Sequence, residues 1–183
     1  MIFPLFRRGT RRDTISTLYG TIVAQARFPG FYCDYRVADT INGRFDLIVL
    51  HLALVLDRLA QDPALQGLGQ GIFDLFCRDM DRNLREMGVA DLKVPKEMWR
   101  MAEAFYGRSQ AYRAALAADG DGPLVTALER NIYGESPAAA AAAPRLAAYM
   151  REALRGLSAQ DSAGLASGIL RFPDPDTIPE IAR

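Results

Sequence analysis

His51 is the only histidine of this chain, so any mechanism that needs an imidazole must run through it. A serine–histidine–acid triad would have to use this residue, and no G-x-S-x-G elbow accompanies it. A His-rich zinc site or a two-histidine haem pocket cannot be built within one chain. His51 also lies in the most apolar run of the sequence, which favours a hydrogen-bonded core histidine over a ligand or a proton shuttle. Asp79 and Asp81 stand two apart on a predicted helix, so they point in different directions and do not share a metal by themselves. Gly67-Leu68-Gly69-Gln70-Gly71 resembles a phosphate loop, but the spacing is G-x-G-x-G and a helix precedes it. A flexible connection between helices is the expectation there. Cys33 and Cys77 form no C-x-x-C, which points to a reducing setting with buried, unpaired thiols. These residues imply no cofactor, no metal and no enzyme.

The densest chemistry is electrostatic. Residues 78–88 carry Arg78, Asp79, Asp81, Arg82, Arg85 and Glu86 around an apolar stripe that includes Met80, Leu84 and Met87. Asp74/Arg78, Asp81/Arg85 and Arg82/Glu86 are i, i+4 pairs, each worth ~0.2–0.5 kcal/mol on an exposed helix. That is more charge than a solvated face needs. Arginine makes planar, bidentate contacts that lysine does not, and the only lysines are Lys93 and Lys96. Two readings stay open, a network that braces helices and a surface that holds a partner.

The elements that must position these groups are helices. Ile15, Leu18, Tyr19, Ile22, Val23 and Ala26 give a clean amphipathic period, with Thr10 or Asp13 as cap and Pro29-Gly30 as stop. An aromatic loop over 31–42 packs down, and Asn42-Gly43 reads as a turn. Residues 44–60 are apolar on nearly every side, the signature of a central helix. Residues 61–70 read as a loop. Ile72, Phe73, Phe76, Met80, Leu84 and Met87 mark the next helix, ended by Gly88 in the left-handed region. Val94-Pro95 opens another, with Met98, Met101 and Phe105 facing inward and a break expected at Gly107. Later helices carry Tyr112 and Leu116, then Leu124 and Leu128, then Leu146 to Leu157, with Asp161 capping a last one. The alanine run 138–143 reads as a linker or the exposed start of a helix. The expected fold is all-α, a single compact domain of roughly seven to eight helices over 13–172, with tails at 1–12 and 173–183.

Composition narrows the partner. The formal charge is zero, with 22 basic and 22 acidic residues. Arg7, Arg8, Arg11 and Arg12 lie in the first dozen residues, leaving 18 basic against 22 acidic residues in the rest. A neutral-to-acidic body argues against direct, sequence-specific nucleic-acid binding. The longest apolar run, 47–56, is far short of the ~18–20 residues that span a bilayer. The start lacks the order of a signal peptide, and the helical domain begins too soon for a mitochondrial presequence. A cytoplasmic, bacterial-type protein is expected, with peripheral contact at the inner membrane through Phe3, Phe6, Arg7 and Arg8, where Ile2, Phe3, Leu5 and Phe6 stand next to the arginines.

Three blocks carry a resemblance. They are Asp39-Thr40-x-x-Gly43-Arg44-Phe45-Asp46-Leu47 with Leu50-His51, then the run from Asp79 through Arg82, Leu84 to Val89, Asp91-Leu92 and Val94-Pro95-Lys96, then Ala104-Phe105-Tyr106-Gly107-Arg108 with Ala111-Tyr112. Together they resemble the ubiquinol–cytochrome c chaperone family over about 18–170, in its short bacterial form. Ala38 stands where the family pattern leads us to expect proline. The resemblance implies an all-helical, non-catalytic domain that binds newly made cytochrome b for assembly of the cytochrome bc1 complex. It also implies a small co-chaperone and the ribosome as further partners of mitochondrial members. A chaperone for an apolar client needs an apolar patch with a polar rim. Met80, Met87, Met98 and Met101 are candidates for the patch, since methionine adapts to varied shapes. Arg44, Asp46, Asp79, Asp81, Arg82, Arg85, Tyr106 and Arg108 are candidates for the rim or for bracing the helices. A helical small-molecule- or haem-binding protein, and a scaffold that dimerises through a methionine-rich face, are the competing readings.

Overall fold

Residues 47–56 offer no polar side to water, and the helix that contains them becomes the axis of the molecule. In the computed structural model, which describes residues 4–134, 136 and 139–180 (4–10 as helix backbone alone), this is α3 (Ile41–Ala60). Its side chains are buried almost without interruption from Asp46 to Val55. Four helices pack on it: α1 (Pro4–Ala26), α4 (Gln66–Glu86), α5 (Val94–Ala117) and α7 (Ala143–Ala159). A fifth, α6 (Gly122–Asn131), packs on both α5 and α7. Two short helices, α2 (Pro29–Cys33) and α8 (Ser162–Ala166), and 3-10 turns at Ala139–Ala142 and Pro175–Thr177 complete the order. Among the described residues there are eight α-helices and no strand, so the expected all-α domain is found.

Local rules explain the main boundaries. Thr40 caps α3 by accepting from the Gly43 amide at 3.1 Å, and Asp161 caps α8 through Gly164 at 2.7 Å. Leu68, Ile72, Phe76, Met80 and Leu84 recur every four residues and form the buried stripe of α4. Gly88 then takes φ 82°, and the Val89 amide donates back to the Leu84 carbonyl at 3.0 Å, the closure expected of a left-handed C-terminal glycine.

Several expectations are corrected. Helix α1 already runs from Pro4 and passes through Thr10 and Asp13, so neither of these caps it. The glycine run at 67–71 is the opening of α4 and not a loop. A Cβ on Gly71 would run into the Ile15 side chain, so the missing side chain lets α1 and α4 approach. Asn42-Gly43 lies in the first turn of α3 rather than in a separate turn. Helix α5 runs unbroken through Gly107, since a mid-helix glycine costs only ~1 kcal/mol and packing on both sides outweighs it. The alanine run ends in the 3-10 turn that leads into α7, with Ala143 fully buried. Both cysteines are free, but Cys33 is exposed because α2 turns it outward.

The segment after Phe172 is tied down rather than trailing. Pro175 and Ile178 are buried, Tyr35 Oη donates to the Pro175 carbonyl at 2.7 Å, and Arg145 Nε donates to that of Ile178 at 3.0 Å. His51 belongs to the same lock. Its Nδ1 lies 2.7 Å from the Leu47 carbonyl, which can only accept, so the proton sits on Nδ1 and Nε2 accepts from the Tyr149 hydroxyl at 2.9 Å. That hydroxyl accepts from Gln25 Nε2 at 3.0 Å, and the same amide reaches the Pro173 carbonyl at 3.1 Å. The histidine is a satisfied core residue that joins α1, α3, α7 and the C-terminal segment. Burial pushes its pKa down to about 4.

Candidate partner-binding groove

A groove of about 420 Å³ opens where the start of α3, the end of α4, the first half of α5 and the segment after α6 converge. Helix packing creates it. α5 leaves α4 through the turn at 87–93 and is anchored in the core by Val94 and again by Phe105, while Met98 and Met101 between them are only half-buried, so the first half of α5 stays open on the groove side. Ile41, Phe45, Leu84, Met87 and Met101 supply apolar walls. Ile41 and Met87 are large apolar side chains left open to solvent, which is informative because they sit together at a concave site.

The charges divide into a closed floor and an open rim. In the floor, Arg108 Nη2 meets Asp46 Oδ1 at 2.8 Å, both largely buried, and the guanidinium lies 5.7 Å over the Phe45 ring. Burial and the nearby Asp46 carboxylate push the Tyr112 hydroxyl well above its usual pKa. On the rim, Arg100 is taken by Glu97 at 2.8 Å. Arg36 and Arg130 also line the groove, and neither is in an ion pair among the described residues. Arg36 is the only non-glycine residue of the described chain with positive φ, at 56°. The Val37 amide, donating to the Phe31 carbonyl at 3.0 Å, holds the backbone in that conformation. Such strain persists only where the surroundings impose it, and it gathers at functional positions. The groove can hold an apolar segment and pair with an acidic group on it. Its lining contains no histidine, cysteine or lysine among the described residues.

The residues singled out from sequence are not brought together. Asp46, Met87, Met101 and Arg108 line this groove. Met98 packs half-buried against the core, and Met80 is only 5% exposed, so Met80 is a core residue and leaves the patch: the four-residue stripe of α4 carries it inward. Arg44 pairs with Asp39 at 2.6 Å on the far side of the α3 N-terminus, which holds the Asp39 carboxyl below its usual pKa. Tyr106 lines a separate cleft of about 530 Å³ between α3, α4 and α5, beside Phe73 and Phe105.

The arginine–aspartate network lies on the outside of α4 and is largely spent on itself. Arg85 is bidentate to Asp81 at 2.8 and 3.2 Å and reaches Asp91 at 2.6 Å, pinning the turn into α5. Arg82 pairs with Asp79 and sits 3.9 Å from Glu86. Asp79 also accepts from Tyr19 Oη at 2.9 Å, which fastens α1. Asp74 takes Gln70 at 2.8 Å instead of Arg78. Bracing accounts for these contacts. Of the membrane candidates, Phe3 and the side chains of Phe6, Arg7 and Arg8 lie outside the described residues. Arg36, Ile41, Phe45 and Arg130 were missed by sequence reasoning, because they come from three separate segments and share no motif. Among the described residues there is no group of acidic, histidine or cysteine side chains placed to hold a metal ion, and no helix long and apolar enough to cross a membrane.

Every segment that forms the groove falls within residues 34–172, which match the family described as ubiquinol-cytochrome C chaperone. The chain belongs to this family. It is 38% identical to the protein in the crystal structure of the Cbp3 homolog from Brucella abortus, with a TM-score of 0.85, covering 98% of this chain and 100% of that one. It is also 24% identical, over 149 residues, to the mouse (Mus musculus) ubiquinol-cytochrome c reductase complex assembly factor 1, covering 81% of this chain. The chain spans about half the length of that mouse protein, 50%. The chaperone family, the all-helical fold and the bacterial form of the resemblance therefore agree.

Proposed function

We propose that this chaperone-family protein is an assembly factor that binds newly made cytochrome b and supports assembly of the cytochrome bc1 complex. The observation that carries the reading is the groove: apolar walls open to water, beside two arginines with no ion-pair partner among the described residues, one of them held in a left-handed backbone. A client segment lays its apolar side chains on Ile41, Phe45, Met87 and Met101 and sets an acidic group, or a helix C-terminus, against Arg36 and Arg130. Methionine walls suit a holding role, because they adapt to a client that must later be released. The internally paired Arg82 and Arg85 have no part in recognition.

Affinity purification of the chain from detergent-extracted membranes tests the client. Cytochrome b enriched over other membrane subunits is the expected result, and its absence from a cross-linked eluate removes the assignment. The same eluate reports on a small second protein and on the ribosome. Peripheral membrane contact through Phe3, Phe6, Arg7 and Arg8 belongs to this reading on sequence grounds. Liposome binding retained after deletion of residues 1–12 would remove that role.

A further inference from the structure

Helix α5 carries a second surface that does not belong to the groove. Val94, Phe105, Tyr112 and Ala115 define its core side. At 100° per residue, Trp99 and Tyr106 lie roughly 130–150° round the helix from these positions, Tyr106 with its ring also 5.9 Å from that of Phe73, and Leu92, in the turn that leads into the helix, falls in line. These three are 97% (Leu92), 68% (Trp99) and 61% (Tyr106) exposed, and Trp99 is the only tryptophan of the chain. Lys96 and Glu103 lie between them on the same stripe. Both are exposed, and neither is in an ion pair among the described residues. Arg100 and Glu97, one position away from the stripe, pair with each other.

The stripe is symmetric about its centre. Leu92 and Tyr106 are each seven residues from Trp99, while Lys96 stands three before it and Glu103 four after. Reversed end to end, the stripe sets apolar positions on apolar ones and opposite charges near each other. We propose that this face of α5 is an interface between two copies of the chain, in which antiparallel α5 helices cross at Trp99. A two-fold axis there sets Leu92 on the partner's Tyr106, Trp99 on its own copy, and Lys96 within a residue's rise of the partner's Glu103, twice over. That is the requirement of an isologous contact, where each patch must complement itself. The seven-residue period is the one that keeps a seam facing a partner helix. An anionic bilayer accepts Trp99 and Lys96 but repels Glu103, which lies between Trp99 and Tyr106 on the stripe. A helix of a different protein has no reason to require this two-fold correspondence. One helix face is small beside the ~800 Å² per partner of a standard interface, so the dimer is reversible and concentration-dependent.

Sedimentation velocity over a range of concentrations tests this on the full chain, with circular dichroism to check folding. The wild type is expected to shift from monomer to dimer, and Trp99→Ala to stay monomeric. Lys96→Glu and Glu103→Lys each weaken association about tenfold, since both symmetry-related pairs are lost. The double variant K96E/E103K restores it, because the swapped pairs attract again across the axis. A wild type that is monomeric throughout overturns the proposal. So does a double variant as weak as the single ones, or a dimer that Trp99→Ala leaves intact.

Discussion

Asp46 of α3 and Arg108 of α5 meet at 2.8 Å beneath the groove, with side-chain exposures of 8% and 22%. This pair fixes the separation of two helices whose outer turns form the groove walls, so groove shape and fold stability are tied to one contact. Removing a single partner strands the other charge in a dry site. Asp46→Leu is therefore expected to cost about 3 kcal/mol in urea unfolding, and Asp46→Leu with Arg108→Met to recover much of it. A loss in the double variant equal to the sum of the single ones would show that the two residues act independently.

His51 makes stability fall with acid. Its pKa is near 6.5 when unfolded and about 4 in the fold, so the unfolded chain takes up the proton first as pH drops. The contribution is complete above pH 6.5 and is lost between there and about 4, reaching about 3 kcal/mol at the low end. Two-dimensional NMR of the imidazole checks the site directly. The ring should stay neutral, with its proton on Nδ1, at pH 5.5, whereas a midpoint near 6.5 contradicts the burial argument.

Two glycines in helices should respond in opposite ways to alanine. A Cβ on Gly43 would strike the Ala38 carbonyl, which is backbone and cannot swing aside. Gly43→Ala is expected to cost at least ~2 kcal/mol and to disturb the groove end of α3. Gly107 faces open space in the middle of α5, so Gly107→Ala should stabilise by ~0.5–1 kcal/mol. Thermal melting of the two variants separates them by sign.

The fold was legible where one rule governed. The all-round apolarity of 47–56 marked the central helix, and Gly88 marked the end of α4. Gly107 and the glycines at 67–71 misled, since local propensity describes a glycine alone while neighbouring helices decide whether its missing side chain is useful. The candidate site was only half legible. Arginine and aspartate spacing located the α4 network but could not show that Asp91, well outside the repeat, would complete the shell of Arg85. Arg36 and Arg130 lie 94 positions apart and become neighbours of one groove only when the segment ahead of α3 and the end of α6 are brought to it by the fold. A periodic pattern in the sequence carries no trace of that.

The role of the groove is tested most directly by quantitative co-purification of cytochrome b with two double variants, Arg36→Glu/Arg130→Glu and Arg82→Glu/Arg85→Glu. Both leave the core untouched, and circular dichroism normalises for folded protein. The groove variant is expected to lose at least about tenfold of the bound client, because two charge-assisted contacts become repulsive. The outer α4 variant is expected to keep its client and to lose only about 1 kcal/mol of stability. The reverse result, with client binding lost from Arg82→Glu/Arg85→Glu and kept by Arg36→Glu/Arg130→Glu, would move the binding surface to the outside of α4 and contradict the groove.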